Sequence, residues 1–322
     1  MRRLARTLLG GVLALATLAA CSGESESDDR YHDGMLFLAT GNTTGVYYQL
    51  GGGYADLVSK YLPGYQLRSE PTGASGENVT RVDSGDMDLA LSHADTAADG
   101  ALGQGVFPGK PQSIVALARL YDNIAQVVVP AGAKVRTLAD LRGKRVSTGT
   151  LNSGTDVVAG RMLAAAGLDP DRDIVRLRWS LPETTKGMKD GSVDALIFVA
   201  GLPAVGITEL LTTAPGQFTF LQAADLLKGM NDQYNGIYQG VKIQKATYGT
   251  PTDIATVAIP TMLVCSPDLP EQLAYDLTRV LFDHQSELAL AHPDGEHFTQ
   301  STAKLTSPVP LHPGARRFYE QG

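Results

Sequence analysis

"MLFLATGNTTGVYYQLGGGYADLVSKYL", residues 35–62, decides the fold. Its first five residues form a short apolar run of strand length, and after a break Leu50, Tyr54, Leu57, Val58, Tyr61 and Leu62 recur near helical spacing. The stretch therefore predicts a strand, a loop rich in glycine and hydroxyls, and a helix from Tyr47 to Leu62. In that order the loop N–H groups and the positive end of the helix can converge on one anion. A binding loop for a carboxylate or phosphate and an ordinary tight connection are both consistent with these residues alone.

The same beat continues along the chain. YQLRS, DLALS and SIVALARLY are separated by helical segments at Glu77 to Ser84 and Asp95 to Leu102, which predicts an α/β unit with a mostly parallel sheet. Ligands of such sheets sit at the carboxyl ends of the strands, where this chain places TGNTTG, EPTGASGEN and SHAD. A second unit follows. AQVVVPAGAKVRTLADLRGKRVSTG reads strand, short helix, strand, and LNSGTDVVAGRMLAAAGL adds a loop and a helix that Ser153 or Thr155 can cap. IVRLRW, PETTKGMKDGS and DALIFVAGLP repeat the pattern. TVAIPTMLVCS is long enough to cross back into the first unit, and LPEQLAYDLTRVLFDHQSELA is the most regular helix, with Leu273, Leu277, Val280, Leu281 and Leu288 on one side. The expected organisation is a first lobe over 35–125, a second over 126–250, and a return strand with C-terminal helices over 251–322, mainly in the first lobe.

The beginning of the chain, MRRLARTLLGGVLALATLAAC, has a basic start (Arg2, Arg3, Arg6), an apolar run from Leu8 to Leu18 and small residues before Cys21. This is the architecture of an export signal over residues 1–20, with an apolar stretch too short for a comfortable membrane span. Cysteine directly after Leu18-Ala19-Ala20 resembles the bacterial lipoprotein box, which implies a lipidated Cys21 and an extracytoplasmic protein anchored to the cell membrane. Cleavage elsewhere, or an uncut anchor, stays open. Residues 21–34 carry acidic and small polar residues with little to bury, and are expected to be a disordered tether. The formal net charge of −7 argues against a nucleic-acid partner. If Cys21 is lipidated, Cys265 stands alone, so neither an intramolecular disulfide nor a cysteine metal cluster can form; its apolar setting predicts an inert buried thiol.

Catalytic signatures do not assemble. Neither Gly73-Ala74-Ser75-Gly76-Glu77 nor Asn152-Ser153-Gly154 completes a G-x-S-x-G nucleophile elbow, no H-E-x-x-H occurs, and the six histidines are scattered. No catalytic residue, cofactor or metal is expected. A hydrolase built from Ser75 or Ser153 with His93 and Asp95 stays open as the alternative. Two α/β lobes, an export signal and anion-holding loops describe instead a receptor that binds a solute in an inter-lobe cleft and closes about a hinge.

Seven segments in order carry a resemblance: ATGNTTGVYYQLGGGYADL, PTGASGENVTRVDSGDMDLALSHAD, a VVV strand after LARLYDNIAQ, TLADLRGKRVSTGTLNSGTD, DGSVDALIFVAGLP, IATVAIPTMLVC and VPLHPGARRFYE. From about Leu38 to Tyr319 the chain resembles the TAXI receptors that serve tripartite ATP-independent periplasmic (TRAP) transporters. The resemblance implies an α/β, two-lobe, periplasmic-binding-protein-like fold (type II) with hinge crossings. It also implies a small carboxylate ligand, either a glutamate-like amino acid or a dicarboxylate, delivered to a TRAP-type permease. An orphan lipoprotein reporting to a membrane sensor would use the same cleft. The receptor is expected to be a monomer.

Carried over onto this chain, the resemblance places Thr40, Gly41, Thr43, Gly45 and Tyr47 of the first loop at the ligand. Thr72, Gly73, Ser75 and Asn78 follow from the second loop, then His93 and Asp95, then Ser153, Gly154 and Thr155. Phe198, Gly201 and Pro203 face them from the second lobe. Of the adjacent tyrosines, one is expected in the cleft and the other in the core. Departures from the family pattern are Asn42 and Thr44 in place of glycines, His93-Ala94-Asp95 in place of Gln-Ser-Asp, and Arg119. In the cleft Arg119 would clasp a carboxylate; elsewhere it would make an ion pair. His93 reads equally as a ligand contact or a structural histidine, and Tyr234 and Tyr238 as a cleft rim or a buried aromatic pair.

Overall fold

A computed structural model describes residues 30–234 and 236–321. The export signal, Cys21 and most of the expected tether lie outside the described residues. The last part of that tether is not free: Tyr31–Gly34 forms a tight turn in which the Tyr31 ring stacks on His32, and His32 Nδ1 lies 2.9 Å from Asp88 Oδ1. An aromatic ring with a cluster to pack against and an imidazole with a carboxylate partner outweigh the polar composition.

The strands are β1 (Met35–Ala39), β2 (Gln66–Glu70), β3 (Leu89–His93), β4 (Val115–Pro130), β5 (Arg145–Ser147), β6 (Val175–Leu177), β7 (Ala195–Ala200), β8 (Phe218–Phe220), β9 (Gln239–Ile243) and β10 (Ile254–Cys265). Their order is β2-β1-β3-β10-β4-β7-β5-β6, with β8 beside β4 and β9 beside β10. The expectation of mostly parallel pairing holds within each half, where β1 joins β2 and β3, and β5 joins β6 and β7. The two long strands run antiparallel to their neighbours. SIVALARLY and AQVVVP are not two strands but the ends of the one strand β4.

The long strands join the lobes. The first half of β4 and the last half of β10 lie with β3, while the other ends pair with β7, β8 and β9. Between them, Ile259 faces Asn123 and the register shifts between Pro260 and Met262. A proline cannot donate to the ladder, so a bulge is the expected accommodation. We propose the lobe division at this point, near Asn123 to Gln126 on β4 and Ala258 to Thr261 on β10. The result is a mixed α/β, two-lobe periplasmic-binding-protein-like fold.

Five helices start near the crossing: α1 (Val46–Tyr61), α2 (Ser75–Asp83) and α3 (Ala94–Leu102) in the first lobe, α4 (Gly154–Ala165) and α5 (Leu181–Asp190) in the second. The regular C-terminal helix is interrupted at His284 into Glu271–Asp283 and Gln285–Ala291, and the imidazole stacks on Tyr61 at 3.5 Å. Its apolar stripe, Leu273, Leu277, Val280, Leu281 and Leu288, is buried against the first lobe. Among the described residues no helix is long and apolar enough to cross a membrane.

Candidate functional site

The cleft between the lobes encloses about 520 Å³, counting its mouth. Gly45, Val46 and Tyr47 bring the start of α1 to its wall, and Ala74 and Ser75 that of α2. His93 is the residue before α3, while Ser153, Gly154 and Thr155 begin α4 and Ser180 and Leu181 begin α5. The first N–H groups of a helix have no partner inside it, and its dipole places partial positive charge there. Among the described residues no Asp, Glu, Lys or Arg lines the cleft. A site with five positive helix ends and no charged side chain suits an anion held by backbone N–H groups and hydroxyls.

Local chemistry explains these starts. Ser153 Oγ accepts from Asp156 N at 3.1 Å, and Ser180 forms a capping box with Glu183. Ala74, the residue before α2, holds φ 73° and ψ −155°. That region is almost closed to side chains and costs about 1–3 kcal/mol, so the second loop is held in a strained form where it meets the cleft. Thr72 Oγ1 accepts from Ala74 N at 3.1 Å and helps to hold it.

Three side chains bring unsatisfied polar atoms to the cleft. Among the described residues the buried Tyr47 hydroxyl, His93 Nδ1 and Asn123 Oδ1 make no well-formed hydrogen bond, and all three residues line it. Tyr47 and His93 meet edge to face at 6.0 Å. Burial pushes the Tyr47 phenol well above its ordinary value, keeping its proton, and pushes His93 below 6.5, favouring neutral imidazole. Trp179 and Phe198 complete the wall with aromatic surface.

The lobes touch across the cleft. Gly76 N donates to Asn152 O at 3.1 Å, and Thr150 Oγ1 donates to Gly73 O at 2.9 Å. Gly154 approaches so closely that a Cβ there would stand 2.5 Å from His93 Cγ and 2.6 Å from Ser75 Oγ, nearer still to His93 Nδ1.

Of the residues anticipated from sequence, Gly41, Gly45, Tyr47, Thr72, Gly73, Ser75, His93, Ser153, Gly154, Thr155 and Phe198 line the cleft. Seven do not. Thr40 is buried at the end of β1, bonded through Oγ1 to Glu70 O at 2.6 Å, and Thr43 is exposed on the turn. Asn78 is fully buried, donating to Thr40 O at 2.6 Å and Leu91 O at 2.7 Å, so it fastens the first loop to β3. Asp95 diverges from His93 because β3 ends at His93 and α3 begins, which removes the two-residue alternation. Its carboxylate binds Arg161 Nη1 at 3.1 Å and the Tyr238 hydroxyl at 2.6 Å. Arg119 lies 3.4 Å from Asp122 on the same strand. Gly201 and Pro203 are not part of the cleft wall, and between them Leu202 N donates to Asp294 Oδ2 at 3.0 Å.

Other side chains are similarly resolved. Tyr47 is both a core and a cleft residue, and Tyr48 is half-buried rather than in the core. Tyr238 is buried, and Tyr234 stacks under Arg161 with the cation 4.2 Å from the ring centre. Ser75 Oγ accepts from His93 N at 3.0 Å, so with Asp95 committed elsewhere the Ser75–His93–Asp95 relay of the alternative hydrolase reading is not assembled. Burial pushes the Cys265 thiol up, away from reactivity. Among the described residues no group of three or more His, Cys, Asp or Glu is placed to hold a metal. Sequence reasoning missed Asn123 and Trp179, although the latter stands in the short connection between β6 and α5.

The architecture is that of the type II solute-binding proteins. The chain belongs to the NMT1-like family, matched over residues 38–322. Its fold is similar to the periplasmic aliphatic sulphonate binding protein SsuA from Escherichia coli, with 15% identity, a TM-score of 0.50, and coverage of 89% of this chain and 82% of that one. It is also similar to PhnD1 from Prochlorococcus marinus in complex with methylphosphonate, with 14% identity, a TM-score of 0.54, and coverage of 82% and 90%. A third similar structure is a binding protein component of an ABC phosphonate transporter from Pseudomonas aeruginosa, with 11% identity, a TM-score of 0.54, and coverage of 81% and 79%. The NMT1-like assignment overturns the TAXI expectation and, with it, the TRAP permease. The segments that suggested it are strands, turns and helices of the common fold, which do not report the transporter.

Proposed function

We propose that the protein is an extracytoplasmic solute-binding protein that captures a small organic anion between its lobes and hands it to a membrane transporter of the ABC type. The observation that carries this reading is the convergence of five helix N-termini on a cleft without charged side chains. Each hydrogen bond to a charged group contributes roughly 1.5–3 kcal/mol. A helix end contributes about 0.3–1 kcal/mol at an exposed site, and more when partly buried. The similar proteins named for sulphonate, methylphosphonate and phosphonate support an oxyanion head group, and a carboxylate suits the same donors.

The uncharged wall narrows the solute. A second carboxylate would find no cation and a primary ammonium no carboxylate, so a single-headed anion suits the site better than glutamate or a dicarboxylate. Trp179, Phe198 and Tyr47 offer apolar surface for the rest of the molecule. The protein would carry out no catalytic step. Its N-terminal sequence supports attachment through lipid on Cys21; Cys21→Ser should release the protein from membranes, and membrane retention of that variant would refute the anchor.

The function is tested by thermal melting of residues 30–322 against monocarboxylates, sulfonates, phosphonates, dicarboxylates, amino acids and neutral sugars. A ligand at a hundred times its dissociation constant stabilises the folded state by about 2.7 kcal/mol. Saturable shifts are expected from a single-headed anion. Shifts from neutral sugars alone would overturn the reading.

A further inference from the structure

Asn123 sits on β4 where the two long strands cross, and its side chain is fixed by its neighbours. Nδ2 donates to Thr261 Oγ1 at 2.6 Å and lies 3.4 Å from the Ile259 carbonyl. A carbonyl accepts only from a donor, so this contact orients the amide with Nδ2 toward β10 and leaves Oδ1 as the atom on the other side. Asn123 is 1% exposed and lines the cleft, and among the described residues its Oδ1 accepts no well-formed hydrogen bond, although the Tyr47 and His93 side chains lie against the amide. An unpartnered buried acceptor carries a desolvation cost that a ligand donor would remove. The neighbouring Tyr47 hydroxyl, also buried and unpartnered, can donate in return.

We propose that the anion bears a hydroxyl close to its charged head, as in a 2-hydroxy acid, with Asn123 Oδ1 accepting from that hydroxyl and Tyr47 donating to it. The inference rests on the anion reading above and adds the identity of the second group. His93 contacts Asn123 and also lies against Gly154 and Ser75 at the starts of α4 and α2, so the hydroxyl site adjoins the anion donors. The alternatives fit less well. A 2-oxo group would set a second acceptor against Oδ1. A 2-ammonium would bring a charge and three donors to a wall without a carboxylate. An unsubstituted acid would itself offer neither protein atom a partner.

Calorimetry of the wild-type protein with lactate, propionate, pyruvate and alanine, and with the 3-phenyl counterpart of each, tests this. The hydroxy acid is expected to bind about ten- to a hundred-fold more tightly than its unsubstituted analogue, with the oxo and amino acids also weaker. Equal affinity for the hydroxy and unsubstituted acids would overturn the hydroxyl inference and leave the anion reading standing. No binding by any of these acids, together with none by sulfonates or phosphonates, would overturn both. A folded Asn123→Asp variant should shift preference from the 2-hydroxy toward the 2-amino acid by placing a carboxylate beside the ammonium. Unchanged preference in that variant would also overturn the inference. Because Asn123 also ties β4 to β10, its melting curve is recorded alongside; if it does not fold, Tyr47→Phe should narrow the margin between hydroxy and unsubstituted acids, and an unchanged margin there would count against the proposal.

Discussion

Gly154→Ala separates binding from folding. Gly154 begins α4 on the second lobe, and the space a Cβ needs is filled by His93 and Ser75 of the first, at 2.5 Å from Cγ and 2.6 Å from Oγ. Neither neighbour can swing aside: His93 is buried, and Ser75 Oγ accepts the His93 backbone N–H at 3.0 Å. Overpacking of this kind costs about 1–3 kcal/mol. The cost falls on the conformation in which the lobes touch, because separating them moves His93 and Ser75 away. An alanine in a helix is itself preferred over glycine by about 1 kcal/mol. The variant should therefore melt, without ligand, within a few degrees of wild type, while its dissociation constant rises roughly five- to a hundred-fold. Calorimetry with the best anion, paired with a ligand-free melting curve, gives both numbers. Wild-type affinity in Gly154→Ala would refute the claim that this contact accompanies binding.

Asn78→Ala should destabilise the protein by about 2–4 kcal/mol in urea denaturation, because it strips donors from the buried carbonyls of Thr40 and Leu91; unchanged stability would contradict its structural role. Arg161 on α4 bridges to Asp95 and Asp99 on α3, at 3.1 and 2.6 Å, so Arg161→Met strands a buried carboxylate in the closed arrangement. Breaking such a pair costs about 3–5 kcal/mol, and ligand affinity should fall at least tenfold; calorimetry showing no change would dismiss Arg161 as an inter-lobe latch. Burial holds both His93 and His312 below the ordinary value of 6.5. Between that value and the folded one the unfolded chain binds more protons, so stability is full above about pH 6.5 and falls as pH drops below it. Melting at pH 7.5 and 5.5 should show this, and His312→Gln should flatten the slope; a melting temperature that rises on acidification over this range would contradict it.

Much of the fold was legible because its signals are local. Met35 to Ala39 and the helix after it appear within one residue of their expected limits, since strand length and helical spacing survive any tertiary context. β4 was harder to read: Asp122 and Asn123 interrupt its apolar run, and only pairing with Ile259 and Pro260 of β10 makes one strand of it. The site was legible as a set of strand-end loops, but not residue by residue. Thr40 and Asn78 have the polar chemistry of ligand contacts and spend it on their own backbone. Asp95 could not be placed without knowing where β3 stops. Asn123 carried the opposite signal, a polar residue in the middle of a buried strand, and Trp179, the chain's single tryptophan, stood at the end of the expected strand IVRLRW.

The claim that backbone and hydroxyl donors hold a negative charge in this cleft is tested most directly by calorimetry with the strongest-binding anion and its uncharged amide or methyl ester, which keep the shape and remove the charge. The account predicts one saturable site for the anion and at least tenfold weaker binding for the neutral analogue, reflecting the lost charge-assisted hydrogen bonds. Equal affinity for the charged and uncharged forms would contradict it.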